Sequence, residues 1–428
     1  MPDDNIFHSN LVKFIKENEL GFISNTDPEI MARYIEGCIF NYNEIKVLND
    51  DTFINAIKKL QEELVLQQNK KEYKMNWSEF YKEFLTQAEF YLDGTISEDD
   101  FFKWYCESIK KLGGKKVHPN AALPGGMTTA LKAEDRDYFL KQMDWALADA
   151  QLAVKIWKDY VAANTTAVDS FANFPSAYLG MVDENNNLAF YDGNLRLVDS
   201  KGVVLEDQFN PANYLDIIAE HVEDWSYMKF PFYKSLGYPG GVYRAGPLGR
   251  LNACTGITTP LANAEFKLYK KMGRNGLVEG TMYYHYARLI ELIYSIEKTR
   301  ELLEDRDITS TDIQVTSNKY NEQGVGVVEA PRGTLIHHYW VDETGKITGV
   351  NLIVATGNNN AAINRSVYEV ARDYIKNGKV TEGILNRVEA AVRCYDPCLS
   401  CSTHALGQMP LLIQLRSADG QIVGSIQS

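Results

Sequence analysis

The sequence predicts a mainly helical α+β protein, a bundle of long helices with small antiparallel β-meanders inserted into it. Two observations support this fold class. Apolar residues recur at spacings of three and four through most of the chain, as they do on the buried face of an amphipathic helix. Two internal stretches, 174–206 and 324–356, alternate apolar with polar residues around turn sequences such as Asp192-Gly193, which is typical of antiparallel strands.

The first predicted region, residues 1–112, is helical. Segments 29–45 and 51–71 carry apolar residues at helical spacing, and the Gly113-Gly114 pair is a typical helix stop. Its aromatic stripes are interpreted as part of a core, because apolar stripes on helices usually face one.

A turn at 118–127 precedes a long predicted helix, from about Ala133 to Ala163, that contains no glycine or proline. At about 1.5 Å per residue this helix would be about 45 Å long, enough to form the spine of a bundle. The remaining predicted elements, in chain order, are a helix at 211–224, an irregular segment rich in Tyr, Gly and Pro at 225–260, a long helix at 281–305, two shorter helices at 363–378 and 382–395, and a C-terminal hairpin.

Composition excludes several classes of function. The 428 residues include 44 Lys and Arg against 57 Asp and Glu, a net charge of −13. This balance argues against nucleic-acid and polybasic membrane-surface proteins, which need clustered basic residues. No apolar run is long enough to span a bilayer, and the charged N-terminus does not resemble a signal peptide. We therefore expect a cytoplasmic protein.

Cysteines cluster near the C-terminus. Cys394, Cys398 and Cys401 lie within eight residues, and His404 follows three residues later. Thiolates and an imidazole at this spacing can reach one metal ion, and they suit Ni, Fe, Cu or Zn. A bare C-x-x-C is also compatible with half of a zinc site or a redox pair. A zinc site needs four ligands, however, and a thioredoxin-like pair needs a βαβ context that this sequence lacks.

The fuller string DPCLSCSTHA at 396–405 resembles the C-terminal signature of the large subunit of nickel–iron hydrogenases. Further segments, in order over about residues 110–428, resemble the large subunit of the cytoplasmic, bidirectional NAD-reducing hydrogenases. They include VYRAGPLGRLN, HYARLIE, GVGVVEAPRGTLIHHY and VNLIVATGNNN. The resemblance implies the large-subunit fold for a core at 113–404, with a divergent helical region at 1–112 before it.

In that family, nickel and an Fe(CN)₂(CO) group are held by four cysteine thiolates, two from each end of the chain. The resemblance implies that Cys398 is a terminal nickel ligand and that Cys401 bridges nickel and iron. It implies that His404 and the backbone carbonyl of Leu352 bind a nearby Mg²⁺. The guanidinium of Arg332 would lie over the metals, where a fixed cation can polarise H₂ or act beside a base.

The reaction implied is H₂ ⇌ 2H⁺ + 2e⁻, with electrons leaving through an iron–sulfur small subunit to diaphorase subunits. The chain has no cysteine set for an Fe–S cluster and no G-x-G-x-x-G after a strand, so Fe–S clusters, FMN and NAD are expected only on partners. A maturation endopeptidase of the family cuts after the histidine. Here it would cut between His404 and Ala405 and release the tail 405–428.

One family motif is not found in this sequence. The first metal motif, R-x-C-G-x-C, is not present, and no C-x-x-C precedes Cys398. Cys38, Cys106 and Cys254 are interpreted as small buried hydrophobic residues. Three interpretations stay open: a hydrogenase whose other cysteine pair lies on another polypeptide or was lost from the gene product, a catalytically inactive hydrogenase-like scaffold, and a structural site for another metal such as zinc at Cys398, Cys401 and His404.

Overall fold

A computed structural model describes residues 109–115, 120–123, 125–315, 321–376, 382–398, 412–416 and 421–427. These residues belong to one compact unit that spans residues 98–428. The helices expected before residue 109, together with Cys401 and His404, lie outside the described residues, so the predictions made for them stay predictions.

The described elements mix helices with short strands. The helices are α1 (Ala133–Leu140), α2 (Met143–Ser170), α3 (Gly246–Ala253), α4 (Pro260–Met272), α5 (Tyr283–Glu304), α6 (Asn360–Tyr374) and α7 (Glu382–Cys394). The strands are β1 (Ala122–Leu123), β2 (Gly126–Met127), β3 (Ala177–Val182), β4 (Asn194–Val198), β5 (Val204–Phe209), β6 (Ile218–Glu223), β7 (Ser226–Tyr233), β8 (Tyr243–Arg244), β9 (Gln323–Ala330), β10 (Gly333–Val341), β11 (Ile347–Ile353), β12 (Leu412–Arg416) and β13 (Ile422–Gln427).

Helix α5 is the centre of the bundle. Helices α2, α3 and α4 pack against it, and Tyr284, Ala287 and Ile290 are fully buried on successive turns. Because its apolar residues extend around most of the helix, α5 is buried on several sides rather than on one face. The predicted α+β bundle of long helices is confirmed. None of the described helices combines the length and apolarity needed to cross a bilayer.

The helix predicted from Ala133 to Ala163 is in fact two helices. The chain turns at Lys141-Gln142 between α1 and α2, and α2 then continues to Ser170. The turn lets Phe139 and Met143 pack together against Leu303 of α5. Tertiary packing therefore breaks the helix at a place that no glycine or proline marks.

Two sheets form a second core beside the bundle. The larger has strand order β5-β4-β3-β8, and the smaller has order β11-β10-β9. Leu179 and Leu195 from the larger sheet pack in one cluster with Ile336 and Ile353 from the smaller one. The strands predicted within 174–206 and 324–356, and the C-terminal hairpin, are confirmed.

Two predicted assignments between the sheets are wrong. The helix predicted at 211–224 is a 3₁₀ turn at Pro211–Asp216 followed by strand β6. The segment 225–260, predicted to be irregular, contains strand β7 and helix α3. Strand β6 forms because it pairs antiparallel with β7, and α3 begins at Gly246-Pro247, where proline is favoured in a first helical turn.

Candidate metal centre

Arg332 lies at the tip of the β9–β10 hairpin, in a tight turn between Ala330 and Gly333, which are paired across the hairpin. Gly333 has a φ of 151°, and a Cβ at this position would lie 2.6 Å from the carbonyl oxygen of Ala355. Only glycine permits this backbone and this close approach. The Arg332 carbonyl accepts a hydrogen bond from Asn359 Nδ2 at 3.1 Å. The hairpin tip is therefore held against the segment 355–359.

The side chain of Arg332 reaches the loop that carries Cys398. Its Nε donates to the carbonyl oxygen of Asp396 and lies 3.3 Å from Asp396 Oδ2. Both side chains are partly exposed, so this ion pair contributes little to stability. It fixes the direction of the guanidinium instead. Asp396 has a φ of 52°, a left-handed conformation that aspartate adopts more readily than most residues.

Cys398 lies two residues after Asp396 and is half-buried. Its backbone N–H donates to Thr356 Oγ1 at 3.3 Å, which joins the cysteine loop to the segment that holds the hairpin tip. Cys398 is disulfide-bonded, so the thiolate expected there requires the reduced chain. Leu352 lies on strand β11, four residues before Thr356 and paired with His337 of β10. The structure thus brings Arg332, Cys398 and the end of β11 to one region.

Two other cysteines among the described residues, Cys254 and Cys394, are free and buried. Burial raises the pKa of each thiol to about 12, so both are protonated at neutral pH. Each thiol lies against a backbone carbonyl of its own helix, Cys254 against Leu251 and Cys394 against Ala390. The interpretation of Cys254 as a buried hydrophobic residue is confirmed. Within the described ranges, no three His, Cys, Asp or Glu side chains are arranged to hold a metal ion.

Helix α5 supports the chain just before the cysteine loop. Arg288 Nη2 donates to the carbonyl oxygen of Cys394 at 2.9 Å. The His285 ring lies 3.4 Å from Arg288 Nη1 and packs on Trp157, with ring centroids 5.5 Å apart. Burial, together with the nearby Arg288 charge, lowers the pKa of His285 to about 4. His285 is therefore neutral at pH 7.

Tyr395 anchors the same segment from the other side. It is 1% exposed, its ring lies 4.6 Å from that of Tyr284, and its hydroxyl is 2.8 Å from Ser366 Oγ. The loop at Asp396 thus starts from a point fixed by both α5 and α6.

A buried ion network lies next to the hairpin. Arg250 of α3 pairs with Glu291 of α5 at 2.6 Å and with Glu329 of β9 at 2.8 Å. Burial lowers the pKa of Arg250, but the two carboxylates raise it by more, so the guanidinium stays charged. Burial raises the pKa of Glu329, and Arg250 opposes that rise. Sequence reasoning missed these residues, although each is a lone charge in an otherwise apolar run.

The sequence matches the profile of the nickel-dependent hydrogenase family over residues 158–404. This chain belongs to that family. It is 42% identical to the beta subunit of the NAD-reducing hydrogenase HoxS of Cupriavidus necator over 333 residues, which cover 75% of this chain and 67% of that one. It is 40% identical to a chain of the F₄₂₀-non-reducing hydrogenase of Methanothermobacter thermautotrophicus over 329 residues, covering 75% and 68% of the two chains.

Solved hydrogenase structures share the fold. The crystal structure of an NAD⁺-reducing [NiFe]-hydrogenase in the H₂-reduced state matches with a TM-score of 0.67 and 36% identity, covering 71% of this chain and 67% of that one. The resemblance carried by the cysteine signature and the internal motifs is therefore confirmed, and the chain is a large subunit of a nickel-dependent hydrogenase.

The donor set of this hydrogenase chain fits only part of a four-thiolate metal group. Cys398 and Cys401 have the C-x-x-C spacing of a soft metal-binding pair. Cys254 and Cys394 are free and buried, and among the described residues neither belongs to a group that could hold a metal ion. The remaining cysteines, Cys38 and Cys106, are single and far apart in sequence. By its spacing, the chain thus offers one cysteine pair as ligands once it is reduced, half of the four thiolates that the complete group needs.

Proposed function

We propose that this hydrogenase large subunit supplies the C-terminal half of a nickel–iron site, with Cys398 and Cys401 as thiolate ligands and Arg332 beside them. One observation carries the proposal. The Arg332 side chain is directed to the backbone and carboxylate of Asp396, two residues before Cys398, by a hairpin tip that cannot move without breaking its contacts with residues 355–359. A fixed positive charge at a cysteine pair is suited to bringing an anionic metal group into place.

The roles of the individual residues follow from their chemistry. A guanidinium is a cation with five N–H donors and no acceptor, so Arg332 would supply a fixed positive charge beside the cysteine pair. Asp396 orients the Arg332 side chain through contacts with Nε, and these contacts do not involve the two Nη groups. We further propose that His404 and the Leu352 carbonyl hold Mg²⁺ and that the iron carries cyanide and carbonyl ligands. Leu352 lies on an edge strand of the described sheet, where part of the backbone carbonyls lack a strand partner.

Electron transfer belongs to partner subunits in this proposal. Its support is the similarity to a component of an NAD-reducing hydrogenase and the lack of a dinucleotide fingerprint in this sequence. We infer that H₂ oxidation or proton reduction is coupled to NAD(P) in the cytoplasm through diaphorase subunits, which an iron–sulfur small subunit connects to this chain. We also infer that a maturation endopeptidase removes the tail 405–428 from the core 113–404, and that residues 1–112 are a separate helical region.

The test is metal content. Protein purified anaerobically from its native host should contain nickel and iron by mass spectrometry, and Cys401→Ser should lose both, because a hydroxyl is a poor ligand for these metals. Cys254→Ser is the matched control. It changes a buried, protonated thiol and should leave the metal content unchanged. Equal metal content in C401S and the unmodified chain would refute the assignment.

A second candidate function is a catalytically inactive, hydrogenase-derived scaffold. The single C-x-x-C pair favours it, since two thiolates are half of the family's set. The intact mass separates the two functions. Nickel and iron in a chain that ends at His404, with the 24 residues 405–428 removed, would establish a processed hydrogenase. A chain that keeps those residues and holds no nickel would establish the scaffold.

A further inference from the structure

The side chain of Arg250 makes an unusually complete set of contacts behind the Arg332 turn. It is 1% exposed, in the middle of helix α3. Its Nε and Nη2 donate to the two carboxylate oxygens of Glu291 at 2.7 and 2.6 Å. This fork-to-fork pair ties α3 to the central helix α5 with both distance and angle fixed.

The other side of the guanidinium contacts the hairpin itself. Nη1 donates to Glu329 Oε2 and to the carbonyl of Ala330, both at 2.8 Å, and Nη2 donates to the carbonyl of Pro331 at 3.2 Å. A guanidinium has five N–H donors, and all five have an acceptor here. Three of the five acceptors belong to the three consecutive residues that precede Arg332.

Glu329 links Arg250 to the opposite strand of the hairpin. Its second oxygen, Oε1, accepts from Thr334 Oγ1 and from the backbone N–H of Met181, both at 2.9 Å. Thr334 is the cross-strand partner of Glu329, so the two residues enclose the turn that holds Arg332. On the other side of the turn, a Cβ on Gly246 would lie 2.8 Å from the Arg332 carbonyl oxygen. Helix α3 therefore touches the turn through its first residue as well as through Arg250.

Stability alone does not account for this arrangement. Buried ion pairs and triads are frequently no more stabilising than apolar residues of the same volume, because desolvation offsets most of the attraction. Apolar side chains in place of Arg250, Glu291 and Glu329 would fill the same space, but they could not fix the orientation of the hairpin tip, because apolar contacts are not directional. The five hydrogen bonds define where the hairpin tip lies and therefore where the Arg332 side chain points.

We propose that Arg250, braced by Glu291 and Glu329, is the positioning residue for Arg332 and keeps its guanidinium at the cysteine loop. The inference rests on the proposed role of Arg332. It adds a residue that acts through the hairpin backbone and has no contact with Asp396 or Cys398 among the described contacts.

The test uses the full chain without metal, labelled with ¹⁵N-arginine. Arg332→Lys identifies the Nε–H resonance of Arg332 by its disappearance. In Arg250→Lys, which keeps the charge but has three donors instead of five, the exchange rate of the Arg332 Nε–H with water should rise about tenfold or more, because the bond to Asp396 is no longer held in place. Arg196→Lys is the matched control. It alters an arginine bound to the Ala253 carbonyl at the far end of α3, and it should leave that rate unchanged.

Thr334→Val is a milder second variant, since it removes only the hydroxyl donor to Glu329 Oε1. It should raise the same exchange rate by a smaller factor, and it decides the question if R250K does not fold. Unchanged exchange in a folded R250K, or in T334V where R250K is unfolded, would overturn the positioning role. The exchange measurement needs no metal, so its result is independent of the metal content. A chain that binds no nickel would refute the proposed function and leave the positioning role of Arg250 standing. Unchanged exchange would refute the positioning role and leave the proposed function standing.

Discussion

The substitution Arg250→Met tests the energetics of the buried network. It removes all five hydrogen-bond donors and leaves the carboxylates of Glu291 and Glu329 in the core without their cation. The side chains of these two glutamates are 7% and 0% exposed, so water cannot replace the lost partner.

The expected loss is therefore that of a broken buried ion pair, about 3–5 kcal/mol in the free energy of unfolding. An exposed pair gives the matched control. Lys298 and Glu301 are also 2.6 Å apart, but their side chains are 43% and 49% exposed. Lys298→Met should cost about 0.5 kcal/mol or less, because solvent screens the pair and the side chains are mobile.

Urea unfolding, followed by far-ultraviolet circular dichroism, measures both variants. A shift in midpoint at constant slope reports the change in stability. We expect the double variant R250M/E291L to be more stable than R250M alone, because it removes one of the two unpaired carboxylates. A cost for R250M as small as that of K298M, or no recovery in the double variant, would refute the account of this network.

Further predictions concern neighbours of the site. The pKa of His285 is about 4 in the folded chain, against an ordinary value of 6.5. As the pH falls from 7, the unfolded chain therefore takes up a proton at His285 before the folded chain does. The free energy of unfolding declines as a result, by up to about 3 kcal/mol once the pH reaches 4. H285Q should flatten this decline in urea midpoints between pH 7 and 5, and parallel curves would contradict it. Gly333→Ala should cost about 2 kcal/mol through its backbone conformation and the close Ala355 carbonyl, whereas Gly324→Ala, with open space at its Cβ, should cost far less in the same assay. Tyr395→Phe should cost about 1–2 kcal/mol in thermal unfolding, because Ser366 loses its hydroxyl partner, and an unchanged melting temperature would exclude that bond.

The parts of the fold that sequence patterns predict are those whose pattern spans a whole element. Helix α5 carries apolar residues over six turns, and strands β10 and β11 alternate around a turn at 343–345. The failures are places where packing between distant segments decides. Strand β6 has a short, mixed pattern that also fits a helix, and only its pairing with β7 makes it a strand.

The candidate site divides in the same way. Arg332 and Cys398 are predicted because the strings around them resemble a family signature. Arg250, Glu291 and Glu329 are visible in the sequence as lone charges in apolar runs, but a single sequence does not reveal their partners. The bonded residues lie 41 and 79 positions apart, and only the packing of α3 between α5 and β9 brings them together.

The buried network behind Arg332 and the cysteine pair Cys398 and Cys401 are under different physical constraints. The network that holds Arg332 is part of the core, so losing any member leaves a buried charge or an unsatisfied polar group and destabilises the whole unit. Replacing a cysteine of a metal-binding pair costs metal affinity and leaves no buried charge behind. The folding constraint on Arg250, Glu291 and Glu329 therefore holds whether or not the chain binds nickel. It follows that the contacts around Arg332 do not distinguish an enzyme from a scaffold, whereas the nickel content and the intact mass of the unmodified chain do.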